Sequence, residues 1–227
     1  MKARICVSVS GTSLTQLVGR VEQAERVGAD IIEVRLDSLR GRHDLSKLSR
    51  AADPPLIATN RPQSEKGSYA GSEGERLKVL EAAVDAGFEY ADLESTTETL
   101  DKVASALCER GAKVILSQHD YSRTPSQASL KTTLLRLRKH EPDICKIVST
   151  AQFPRDNLTI LDFLDHNHAS SSMVCFAMGK AGLWSRVLAP FYGSSFTYAS
   201  LGPGLETAPG QPTLDTLRRI YESLDLE

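Results

Sequence analysis

The sequence predicts a (β/α)8 barrel in a single domain, residues 1–227. Three observations lead there. Eight short β-branched runs alternate with longer amphipathic stretches. No G-x-G-x-x-G follows the first run, as it would in a dinucleotide-binding open sheet. No linker or composition break divides the 227 residues, a compact length against the ~250 typical of such barrels. A doubly wound open sheet competes, but the repeat count reaches the number that closes.

The strand runs are ICVSVS (5–10), IIEVRLD (31–37), PLIATN (55–60), FEYADLE (88–94), KVILSQHD (113–120), ICKIVST (144–150), MVCFAM (173–178) and SFTYAS (195–200). After the first comes LTQLVGRVEQAERVG, where Leu14, Leu17, Val18, Val21 and Ala24 keep helix spacing up to Gly28. The second is followed only by a short helix within 41–53. SEGERLKVLEAAVDAG, ETLDKVASALCERG, SLKTTLLRLRKH and NLTILDFLDH continue the alternation, the first two ending at Gly87 and Gly111. The seventh helix, within 181–192, is short and broken at Pro190, and TLDTLRRIYESL closes the chain.

Apolar residues at 41%, charged residues at 25% and a net charge of −2 fit an ordinary globular protein. They argue against a general nucleic-acid binder, which carries a basic surplus. No apolar run approaches the ~18 residues of a membrane span, and the N-terminal apolar stretch is too short for a signal peptide, so a cytoplasmic location is expected. Cys6, Cys108, Cys145 and Cys175 form no C-x-x-C pair. Three of them sit in apolar runs, where a free thiol behaves as a small hydrophobe; neither a disulfide nor a zinc site is expected.

Barrel strands are buried on both faces, so polar residues on their inward face need an account. In IIEVRLD, Glu33 and Arg35 share one face and Ile32, Val34 and Leu36 the other, which turns the charged pair inward, as site residues or as a buried structural ion pair. Arg61 and Glu65 follow LIATN in a loop, where a solvated charge is the ordinary outcome. In KVILSQHD, Ile115, Ser117 and His119 share a face, turning His119 inward at the strand end. Lys146 lies mid-run between Cys145 and Ile147. A buried lysine must be paired or have a lowered pKa. As a neutral amine it is a nucleophile that forms a Schiff base with a carbonyl, unless it snorkels out of the strand end. Several arginines suit an anionic or hydroxyl-rich substrate, and histidine beside lysine suits proton transfer coupled to imine chemistry. GKAGLWSR after the seventh run supplies Lys180 and Arg186, and ETAPGQP supplies Thr207 and Gln211 in a Gly/Pro-marked loop after the eighth. GPG (202–204) reads as a bare turn, and His166 and His168 suit a helix end rather than a metal.

EVRLD, T-x-R with a glutamate four residues on, SQHDY, CKIV, AMGKAGLWSR and TAPGQ, in this order at these strand ends, resemble type I 3-dehydroquinate dehydratase in its shorter, archaeal-type form. The resemblance spans the chain. It implies dehydration of 3-dehydroquinate to 3-dehydroshikimate in the shikimate pathway, with no metal or organic cofactor, and commonly a homodimer. By the resemblance, Lys146 forms the imine, His119 is the general acid and base, and Glu65 orients it. Glu33, Arg35 and Arg61 grip ring hydroxyls, Arg186 takes the substrate carboxylate, and Thr207 and Gln211 belong to a closing loop. Two departures stand out: Lys66 where the family commonly has the first of two glycines, and Thr207 where serine is common. A class I aldolase and a non-catalytic metabolite-binding barrel are the alternatives. The first usually wants a phosphate site, and the presence of Lys146 and His119 counts against the second.

Overall fold

The computed structural model describes residues 3–41 and 43–226. Its eight strands are β1 (Ile5–Ser10), β2 (Ile31–Arg35), β3 (Leu56–Thr59), β4 (Tyr90–Glu94), β5 (Lys113–His119), β6 (Ile144–Thr150), β7 (Met173–Met178) and β8 (Thr197–Ser200). All neighbours run parallel, in the order β7-β6-β5-β4-β3-β2-β1-β8. Among the described residues, β7 and β8 are joined at their edges by a bridge at Met173 and Ser194, through the Ser195 amide donating to the Met173 carbonyl at 2.7 Å. The barrel is therefore nearly closed.

The helices are α1 (Leu14–Arg26), α2 (Ser46–Ser49), α3 (Glu73–Asp85), α4 (Leu100–Glu109), α5 (Gln127–Arg138), α6 (Asp156–Asn167), α7 (Leu183–Leu188) and α8 (Leu214–Ser223). Local chemistry sets their starts. The Ser13, Ser72, Ser126 and Thr213 hydroxyls accept backbone N–H groups at the N-termini of α1, α3, α5 and α8. Ser72 and Glu75 complete a reciprocal capping box. After α3 the chain turns through Gly87 at φ +101°, a backbone a side chain would strain. As expected, α2 is a single turn, and α7 stops at Leu188, where a 3-10 turn (Ala189–Tyr192) carrying Pro190 begins.

Several strands are shorter than their apolar runs. The 31–37 run is strand only to Arg35, because Leu36–Ser38 turns into a 3-10 helix that carries Asp37 back toward Arg35. Phe88 and Glu89 precede β4, and Ser195 and Phe196 precede β8. Phe88 and Phe196 are apolar for packing, not for ladder pairing.

Strand alternation sorts side chains into two layers. Outward residues such as Val7, Val34, Leu93, Leu116 and Ile147 pack against the helices with Leu17, Leu80, Leu134 and Phe163. Inward residues Cys6, Ile31, Ile57, Tyr90, Ile115, Ile144, Val174 and Phe196 help fill the barrel. At the carboxyl ends of the strands this inner layer changes from apolar to charged.

Candidate active site

Lys146 projects inward from the middle of β6 and is 4% exposed. Its Nζ donates to Asp92 Oδ2 at 2.8 Å, to the Tyr198 hydroxyl at 2.9 Å and to Glu33 Oε1 at 3.4 Å. Burial raises the Asp92 carboxyl, but Arg61 and Lys146 overcome it and hold Asp92 well below the usual carboxylate range. Glu33 is likewise lowered: burial opposes ionisation, and Lys146 and Arg35 win. It also accepts from Ser8 Oγ at 2.5 Å and Thr59 Oγ1 at 3.1 Å. Burial, reinforced by the charge of Glu33, pushes the Tyr198 phenol up, so it stays a neutral hydroxyl.

His119 ends β5. Because Ser117 pairs with Lys146 across the β5–β6 ladder, the histidine stands two residues higher, roughly 6–7 Å up the strand. It is half-buried, with Nδ1 enclosed and without a hydrogen-bond partner among the described residues. Tyr121 stacks on the imidazole, with centroids 5.4 Å apart and planes 10° from parallel. Burial, then the charges of Arg61 and Lys146, lower the pKa of His119 well below that of a free histidine. The imidazole is a neutral base, held by stacking.

Glu65 lines the same pocket but is not joined to His119: its Oε1 accepts from Thr96 Oγ1 at 3.2 Å. Its backbone carbonyl accepts the Tyr121 hydroxyl at 2.6 Å, so this loop reaches His119 through the tyrosine ring. Lys66 takes up φ +55° itself, giving the loop the left-handed turn that a glycine would give. Its Nζ lies 4.7 Å from the Tyr121 ring centroid.

The arginines divide by partner. Arg35 is not the ion partner of Glu33; its fork closes on Asp37 through two bonds of 2.8 Å. Arg61 donates from Nη1 to Glu94 at 2.7 Å and Ser117 at 2.9 Å, and from Nη2 to Asp92 at 2.9 Å. Much of its donor capacity is thus committed to the protein. Arg186, on α7, is 1% exposed, lies 4.2 Å over the Phe176 ring and pairs with no carboxylate among the described residues. Its Nε and Nη2 are buried without partners, and burial lowers its pKa to about 10. An enclosed fork of this kind has the geometry to receive a planar anion. Beyond β8, Thr207 donates from its amide to Gln211 Oε1 at 2.8 Å and from its hydroxyl at 3.2 Å. Both residues close one side of a pocket of about 240 Å³ that also holds Glu33, Arg35, Arg61, Glu65, His119, Lys146 and Arg186.

All nine sequence-derived candidates therefore line one pocket at the carboxyl ends of the strands. Lys180 and the 202–204 turn do not line it. His166 sits in the last turn of α6 with Nδ1 2.8 Å from the Asp162 carbonyl, and no cluster of three metal-ligating side chains occurs among the described residues. The four cysteines are free. Sequence reasoning missed Asp92, Glu94 and Tyr198. The signal was present: in FEYADLE, Asp92 and Glu94 show the same alternate spacing as Glu33 and Arg35.

The family model for type I 3-dehydroquinase matches residues 5–227. A 3-dehydroquinate dehydratase of Dehalococcoides mccartyi is 39% identical over 212 residues, spanning 93% of this chain and 94% of that protein. One of Methanothermobacter thermautotrophicus is 34% identical over 227 residues, spanning 99% and 98%. Among solved structures, the 3-dehydroquinate dehydratase of Enterococcus faecalis superposes with a TM-score of 0.82 at 26% identity, covering 97% of this chain and 93% of that one. That of Geobacillus kaustophilus reaches 0.92 at 24% identity, covering 99% and 92%, a likeness of fold. With near-complete coverage by the family model and by relatives of the same length, this chain belongs to the type I 3-dehydroquinase family.

Proposed function

We propose that the protein dehydrates 3-dehydroquinate to 3-dehydroshikimate through an imine on Lys146, in the shikimate pathway and without a metal or organic cofactor. The observation that carries this reading is a buried amine and a neutral histidine on adjacent strands of one pocket, with an unpaired arginine fork in the same wall.

The substrate carboxylate sits on Arg186, which fixes the ring. Lys146 Nζ, after passing its excess proton to His119, adds to the ring ketone, and His119 returns that proton to the hydroxyl that leaves as water. Loss of water leaves a protonated imine that withdraws electrons from the adjacent carbon. Neutral His119 takes a proton there, the electron pair moves toward the imine, and it returns to expel the neighbouring hydroxyl. His119 donates its proton to that leaving group. Hydrolysis of the imine consumes the water released in forming it, so one water is lost overall. Asp92 and Glu33 stay ionised beside the iminium and stabilise it. Thr207 and Gln211 close the pocket against solvent.

Borohydride reduction in the presence of 3-dehydroquinate tests the imine: a mass increase located on Lys146 is expected, and no adduct there sinks the mechanism. Lys146→Ala abolishes the adduct. The ultraviolet absorbance of a conjugated enone tests the product, and its absence sinks the dehydratase reading even if an adduct forms.

A further inference from the structure

Beneath the pocket runs a chain of charges that ends outside the barrel. Lys146 is bonded to Asp92 Oδ2, Asp92 Oδ1 to Arg61 Nη2 at 2.9 Å, and Arg61 Nη1 to Glu94 Oε1 at 2.7 Å. Glu94 Oε2 then lies 2.7 Å from Nη1 of Arg76, a charge contact outside hydrogen-bond geometry, and Arg76 bonds Glu73 through Nε at 2.6 Å and Nη2 at 2.8 Å. The signs alternate along all six groups, from the imine-forming lysine to a glutamate at the start of α3. Arg76 is 1% exposed although it belongs to a helix on the barrel's outside. It also donates from Nη1 to the Asn60 carbonyl at 3.0 Å and from Nη2 to Thr97 Oγ1 at 3.2 Å, while Asn60 Nδ2 donates back to the Arg76 carbonyl at 3.0 Å. One guanidinium thus ties α3 to the ends of β3 and β4, which carry Arg61 and Glu94.

We propose that Arg76 is a positioning residue of the dehydration: it holds Glu94, and through Glu94 the Arg61–Asp92 pair, in the arrangement that presents Lys146 to the substrate ketone. Arg76 does not line the pocket and acts only through these neighbours. The physical need is clear at Glu94. This carboxylate is buried at the end of β4, faced by Arg61 from the loop after β3, Asp92 from its own strand and Arg76 from α3, with Glu73 beyond Arg76 and Ser117 of β5 sharing Arg61. Burial already raises its pKa despite both arginines. Without Arg76, Glu94 takes up a proton at higher pH, the ionic hold on Arg61 weakens, and Arg61 is free to leave Asp92. Asp92 is the nearest carboxylate to Lys146, so the loss reaches the amine.

The inference rests on the imine mechanism, which the trapping of the unaltered enzyme tests separately. Given an adduct there, Arg76→Met is compared with the unaltered enzyme for kcat, KM, pH profile and rate of borohydride-trapped adduct formation. The expected result is a fall in kcat and trapping rate of about 10- to 100-fold with KM little changed. The acid limb of kcat moves to higher pH by about one unit or more. Glu94→Gln supplies the control: it cannot ionise but still offers Arg61 an acceptor, so Arg76→Met in that background moves the limb no further. A protein that loses stability while its pH profile and trapping rate stay as they were overturns the proposal, as does an equal limb shift in the Glu94→Gln background. If Arg76→Met does not fold, Arg76→Lys decides. Its single ammonium is shared between Glu73 and Glu94 and moves the limb part of the way; an unmoved limb overturns the proposal.

Discussion

His119 shows how surroundings rather than residue type set the protonation of an imidazole. A free imidazole titrates near ~6.5; here burial, with Arg61 and Lys146 nearby, disfavours the imidazolium. The proposed mechanism requires the base form, so kcat/KM is expected to fall as pH drops through the folded-state pKa, with the acid limb belonging to His119 below ~6.5. A kcat/KM profile whose limb sits at or above that value contradicts the assignment. The same shift has a stability sign. Below ~6.5 the unfolded chain binds a proton at this position that the folded chain does not, so His119 destabilises the fold progressively on acidification and contributes no penalty above that pH. His119→Ala removes this dependence. It should also slow turnover severely while some adduct on Lys146 still forms; an unchanged rate would refute its role.

Among the elements, the β3–α3 connection does most to shape the site. Residues 61–69 fold back on themselves: Tyr69 N donates to Arg61 O at 3.1 Å, Gln63 N to Tyr69 O at 3.1 Å and Gly67 N to Pro62 O at 2.9 Å. Gly67 runs so close to Arg61 that a Cβ there would meet the Arg61 carbonyl oxygen at 2.0 Å. Gly67→Ala must push the two backbones apart, moving Arg61 and Glu65 together. The expected outcome is a loss in kcat/KM of about tenfold or more with a lowered melting temperature. Lys66→Gly, one position earlier, relaxes a left-handed residue and keeps the melting temperature. Steady-state kinetics and thermal unfolding of the two variants check both statements, and unaltered kcat/KM in the Gly67→Ala variant would contradict the first.

Over the whole molecule, the apolar packing and the pocket lining occupy different layers. The apolar layer between strands and helices carries no site residue, whereas the upper interior of the barrel is charged. Leu134 of α5 is fully buried in the outer layer. Leu134→Ala is expected to cost about 2–5 kcal/mol in denaturant unfolding while leaving kcat and KM close to those of the unaltered enzyme. A matching loss of kcat at a temperature where the variant stays folded would show the layers to be coupled. Homodimerisation, implied by the family resemblance, is tested by sedimentation of the full chain.

Strand and helix order, the count of eight and the inward parity of Glu33 and His119 were legible in the sequence, because the periods of strand and helix are local properties of the chain. Lys146 stood out because a charge inside an apolar run has few explanations. What the sequence by itself could not decide was pairing. Glu33 and Arg35 are adjacent on one face, yet Glu33 turns to Lys146, 113 residues away, and Arg35 to Asp37. Glu65 faces Thr96 rather than His119, and Arg61 is held by Asp92 and Glu94. Buried charges take whichever opposite charges the closed barrel brings within bonding distance. That distance is a property of tertiary structure: eight strands meet at one end, and residues distant along the chain become the nearest neighbours.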